Sequence, residues 1–144
     1  MRMAFALLLF SLRTATCCDC VLPTVKAEFK HSEIVFRGTI TEIHDSQIVF
    51  AVRRVFKGRI PATFAMTNWV MDAHCASGFA RRLVKTGNEL LVYAWRAEFF
   101  KEGLLTRTCS RTALVQGASE DLRELGRGHA PTRENDVPGH LKAP

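Results

Sequence analysis

IVFRGTITEIHDSQIVFAVRRVFKG, residues 34–58, reads as two strands folded back on one turn. The first limb, 34–44, is dense in β-branched residues, which suit a pleated, half-buried surface. Asp45-Ser46 supplies the turn. In the second limb, 47–58, Ile48, Phe50 and Val52 alternate with Gln47, Val49 and Ala51. A period of two sends these sets to opposite faces, so the pair forms a long hairpin with a core side. Gly38, inside the first limb, marks a bend or bulge of the kind a closed barrel needs.

Three more strands follow outward from the hairpin: ATFAMTNWV at 62–70, NELLVYAWRA at 88–97 and LLTRTCS at 104–110. A loop from 71 to 87 carries Cys75. Pro23 and the TVKAEFKHSE that follows predict a short helix, with Pro at its first turn and Val25 and Phe29 on one face. SEDLRELG, 119–126, predicts a second, stopped by Gly126. Five strands, a helix near each end and no βαβ alternation give a mainly β fold. The expected architecture is a five-stranded closed Greek-key barrel of the oligonucleotide/oligosaccharide-binding (OB) type, with the short N-terminal and C-terminal helices packed outside. Residues 127–144 mix Pro, Gly and charge with few apolar side chains and are expected to form a flexible tail.

The N-terminus reads MRMAFALLLFSL, a positive start and an apolar run of signal-peptide length that is too short to span a bilayer as a helix. Ala15 and Cys17 supply the small residues that signal peptidase requires if the cut falls before Cys18. Residues 1–17 are then a signal peptide, 18–126 the folded domain, and the protein is secreted or periplasmic. The cut discards Cys17 and leaves Cys18, Cys20, Cys75 and Cys109, an even set that suits two disulfides in an oxidising compartment. Cys18 and Cys20 are too close to bridge each other without strain, so each reaches far along the chain, and two pairings remain open.

The 144 residues carry a net charge of +6, a mild excess that suits an anionic surface or glycan and falls short of a nucleic-acid signature. Arg53, Arg54, Lys57 and Arg59 concentrate it at the end of the hairpin, as a candidate polyanion-binding cluster. After residue 17 there is no apolar stretch long enough for a transmembrane helix. The sequence has no Gly-rich phosphate loop, no paired catalytic carboxylates and no serine-nucleophile motif, which points away from an enzyme and from a cofactor. His74 beside Cys75, with His31 and His44 elsewhere, fits no zinc-finger or zinc-ribbon spacing, so no intrinsic metal site is expected.

Six pieces in order carry a resemblance: Cys18-Asp19-Cys20, FRGTI (36–40), VFKG (55–58), CASGF (75–79), GNELLVYA (87–94) and CSRT (109–112). Together they resemble the netrin-like modules, which include the inhibitory domain of the tissue inhibitors of metalloproteinases and small exported bacterial relatives. The resemblance implies an OB-like barrel with disulfides Cys18–Cys75 and Cys20–Cys109. It also implies a mode of action on a protein partner, a zinc metalloprotease. The α-amine and carbonyl of Cys18 would chelate the partner's zinc, and Asp19 would enter the specificity pocket. The animal inhibitors' third disulfide and cysteine-rich C-terminal domain have no counterpart in these 144 residues. Ala76 replaces a usual Gly, and Asp19 an ordinarily small neutral residue. The function expected is therefore an exported, non-enzymatic protein-interaction module. Its sharpest form is metalloprotease inhibition through Cys18, and the alternative is an anionic glycan or envelope component bound on the basic hairpin.

The processed protein is expected to begin at Cys18. Intact mass and non-reducing peptide mapping should report that terminus together with Cys18–Cys75 and Cys20–Cys109. Retention of Cys17, a lipid on it, or a Cys18–Cys109 linkage contradicts the expectation.

Overall fold

The computed structural model describes residues 20–71, 78–96 and 103–141. The expected hairpin is its spine: β1 (Ile34–Ile43) pairs antiparallel with β2 (Gln47–Lys57). β3 (Thr63–Thr67) adds to the outer side of β2, and β6 (Glu89–Ala94) to the outer side of β1. Two short strands, β4 (Val70–Met71) and β5 (Phe79–Ala80), form a separate parallel pair. β7 (Ala113–Leu114) completes a five-stranded antiparallel sheet in the order β3-β2-β1-β6-β7. Helices α1 (Val25–His31) and α2 (Ser119–Leu125) accompany it.

The sheet is mainly β and five-stranded, as expected, but it is not closed into a barrel. Among the described residues β3 and β7 are its two edges. The expected third strand ends at Thr67, and the expected fifth strand, 104–110, does not form. Leu105 bridges to Trp95 there, and the segment forms no named strand among the described residues. The reason lies in the hydroxyls that follow. Thr106 Oγ1 lies 2.8 Å from Thr112 Oγ1 and 3.1 Å from Ser110 Oγ, all three residues being buried. The Thr112 hydroxyl accepts from the Tyr93 backbone N–H at 3.0 Å and donates to the Tyr93 carbonyl at 3.4 Å. This side-chain network satisfies β6 where a continuous fifth strand would have done so.

One face of the sheet holds the main core, including Ile34, Phe36, Ile40, Ile48, Phe50, Phe64, Leu90 and Val92. The Phe36 ring sits edge-on to Phe50 at 5.3 Å and to Phe64 at 5.8 Å, an arrangement contributing about 0.5–1.5 kcal/mol per pair beyond burial. Gly38 gives that ring its room. A Cβ there would stand 3.2 Å from the Phe36 ring and 3.1 Å from the Ala51 carbonyl oxygen. On the opposite face Val35, Leu91 and Tyr93 pack against Phe29 of α1 and Leu122 and Leu125 of α2.

β2 does not pair evenly. Arg37 lies opposite Arg54 but Gly38 opposite Val52, so one extra residue bulges at Arg53. A second irregularity separates Val35–Lys57 from Phe36–Val55. The inward side chains of β2 accordingly run Ile48, Phe50, Val52 and then Val55, with Arg53 and Arg54 both exposed.

Residues 129–141, expected to form a flexible tail, make specific contacts with the sheet and the core. His129 pairs with Val55, the Thr132 N–H donates to the Ile60 carbonyl at 2.8 Å, and Val137 and Leu141 are buried in the main core. Two apolar side chains thus enter the core from a segment whose average composition is polar.

α2 is pinned through Asp121. Its Oδ1 accepts from the Tyr93 hydroxyl at 2.7 Å and from Arg111 Nε at 2.8 Å, and its Oδ2 accepts from Arg111 Nη2 at 2.7 Å. Burial works to raise the Asp121 carboxyl, but Arg111 and the Tyr93 hydroxyl outweigh it and hold it below its ordinary range. Burial, with Asp121 beside it, raises the Tyr93 phenol far above its usual value, so it remains a donor.

A depressed folded pKa stabilises above the unfolded carboxylate value near 3.9 and is lost as pH falls through the lower folded value. Asp121→Asn is therefore expected to cost about 3 kcal/mol at pH 7, by leaving Arg111 short of its charge partner. The difference from the parent should shrink at about pH 3 and below, where the parent's own carboxyl takes up its proton. Urea unfolding followed by circular dichroism at the two pH values checks this, and a deficit that stays constant contradicts it.

Candidate functional site

Of the residues expected to act, Cys18, Asp19 and Cys75 lie outside the described residues. Cys20 does not. It is bridged to Cys109 with a Cα–Cα distance of 5.4 Å across 89 positions of sequence, the partner that the resemblance implies for it. A loop of that length gains on the order of 4 kcal/mol from closure in the chain-entropy account.

Four further contacts fix the chain after Cys20. Arg111 Nη1 donates to the Pro23 carbonyl at 3.1 Å. The Thr24 side chain caps α1 by accepting from the Ala27 N–H at 3.2 Å. The Ser32 N–H bonds the Glu28 carbonyl at the other end of the helix, and Glu28, itself buried, receives Arg107 Nη2 at 2.9 Å. Between Cys20 and Pro23 the side chains of Val21 and Leu22 project into solvent, 82% and 58% exposed. A groove of about 560 Å³ runs beside them, with Cys20, Leu22, Arg82, Arg107, Ser110 and Arg111 among its lining residues. Arg111 is the hinge of this arrangement. Its hydrogen bonds to Asp121, and then to Glu120 at 2.7 Å, raise its pKa well beyond the ordinary guanidinium value, so it is a permanent cation.

The basic cluster read from sequence separates into different roles. Lys57 Nζ donates to the Phe29 carbonyl at 2.7 Å and the Lys30 carbonyl at 3.2 Å, and it lies 5.1 Å from the Phe29 ring centre. It closes the C-terminal end of α1, where the helix dipole favours a cation, and its charge is spent there. Arg59 is exposed beyond the end of β2. Arg53 and Arg54 stand together on the bulge, and two residues absent from the sequence reading join them: Arg37 from β1 and Glu89 from β6. Arg37 Nε and Nη2 donate to the two Glu89 carboxylate oxygens at 2.8 and 3.0 Å. That bidentate hydrogen bond raises Arg37 and lowers Glu89 from their ordinary values. The bulge had a signal in the sequence. The apolar series 48, 50, 52 resumes at 55, one position out of step.

No protein-family model matches the chain, and no curated protein matches it either.

Proposed function

We propose that the chain is an exported, non-enzymatic interaction module that presents its disulfide-anchored N-terminal segment to a protein partner. The observation that carries this is the exposure of Val21 and Leu22 on a stretch tied down at Cys20, Pro23 and Thr24. Two apolar side chains held out on a fixed backbone bury about 1.5–3 kcal/mol each in a complementary cleft. Little ordering entropy opposes that gain, because the segment is already held.

The sharpest form of the proposal is inhibition of a zinc metalloprotease. Cys18 would present its α-amine and carbonyl to the partner's zinc, with Asp19 entering the adjoining pocket. An α-amine with a pKa near 8 is partly deprotonated at neutral pH and ligates zinc. The Asp19 carboxylate opposes binding where that pocket is apolar, at several kcal/mol for an unpaired buried charge. The finer fold reading, an OB-like Greek-key barrel, belongs with this proposal. Its support is a chain of links from the segment after β3 to the segment after β6: Phe79 N–H to the Trp69 carbonyl, Gly78 N–H to the Thr106 carbonyl, and Leu105 bridged to Trp95.

Inhibition by protein beginning at Cys18 is expected to be weak against matrix-type metalloproteases. Asp19→Thr should strengthen it by roughly tenfold or more, at about 1.4 kcal/mol per decade. An Ala added before Cys18 should abolish it, and Val21→Asp should weaken it. Inhibition that is indifferent to the added Ala contradicts chelation. No response to any of these changes across a panel of metalloproteases overturns the inhibitor form.

A further inference from the structure

The outer face of β1, β2 and β6 carries a second cavity of about 560 Å³, lined by Arg37, Thr39, Arg53, Arg54, Gly87 and Glu89. It shares no lining residue with the groove beside Cys20. The bulge creates it. In an even ladder Arg53 and Arg54 would point to opposite faces, and one would enter the core. The extra residue turns both outward, directly beside Arg37, which is the register partner of Arg54.

Like charges opposite each other destabilise a sheet pair. Here three arginines line the cavity with one carboxylate, Glu89, which Arg37 already engages in both its oxygens. Arg53 contributes to holding the Glu89 carboxyl low, after the larger effect of Arg37. Among the described residues neither Arg53 nor Arg54 makes an ion pair or a side-chain hydrogen bond. The Thr39 hydroxyl is at the rim, and a Cβ at Gly87 would meet nothing within 4 Å, so the rim is open on that side.

We infer that this bulge-centred triad of Arg37, Arg53 and Arg54 binds a sulfated or phosphorylated carbohydrate chain. Planar guanidinium groups take oxyanions in paired hydrogen bonds, which a carbohydrate sulfate or phosphate supplies with its three free oxygens. Single anions bind exposed arginines weakly, whereas a chain bearing several sets them against neighbouring arginines at a high effective concentration. A threonine hydroxyl and an open glycine rim suit the sugar ring between the anionic groups. Lys57 and Arg59, although adjacent in sequence, are outside the site.

Retention on immobilised heparin and titration with a heparin-derived oligosaccharide test the assignment, with thermal unfolding as a check on folding. Arg53→Ser with Arg54→Ser should weaken binding about tenfold or more at low salt and flatten its salt dependence. Arg59→Ser should leave both unchanged. Glu89→Gln should strengthen binding, because it frees Arg37 and removes the competing carboxylate, whereas a purely structural role for the pair predicts only loss. Inorganic sulfate at equal charge concentration should displace poorly. Unchanged binding in the double variant, weaker binding in a folded Glu89→Gln protein, or equal affinity for polyglutamate would each overturn the inference.

Discussion

The carboxylate of Asp121 joins parts of the molecule that are far apart in sequence. It takes the Tyr93 hydroxyl from the sheet and the Arg111 guanidinium from the segment after the disulfide, and it sits on α2. Arg111, oriented in this way, reaches the Pro23 carbonyl with its remaining nitrogen. One buried, fully bonded group therefore sets the helix against the sheet and the N-terminal segment against both. The network is stable because every partner is satisfied: a buried carboxylate with only one of these donors would cost more than it contributed.

The bulge on β2 plays the corresponding part on the other side of the sheet. It keeps Val52 and Val55 in the core while moving two arginines out of it. Just beyond it, Val55 pairs with His129 and the Ile60 carbonyl accepts from the Thr132 N–H. The extra residue at Arg53 thus sets the charge presented by the outer face without removing a side chain from the core.

Much of the fold was legible. The hairpin, its Asp45-Ser46 turn, both helices and β6 lie within a few residues of where alternation and capping place them, because those signals are local. The failures are tertiary. LLTRTCS has strand composition, but Thr106 bonds Ser110 and, beyond the segment, Thr112, whose hydroxyl in turn bonds the Tyr93 backbone. Val137 and Leu141 are invisible in a polar average, yet each fills a specific part of the core. At the candidate sites, Cys20–Cys109 followed from the likeness to netrin-like modules. The division between Lys57 and Arg37 could not be seen, since it depends on where the end of α1 meets β2 and on a ladder register. Adjacent basic residues in a sequence are not adjacent charges in space when one of them closes a helix.

The position of Val137 and Leu141 also bears on when the molecule can fold. A chain emerges from the ribosome N-terminus first, and this core lacks two of its buried side chains until residue 141 has been made. The Cys20–Cys109 bridge likewise spans most of the domain before it can form. A nascent chain of this design therefore completes its core only after its sheet and both helices have been made.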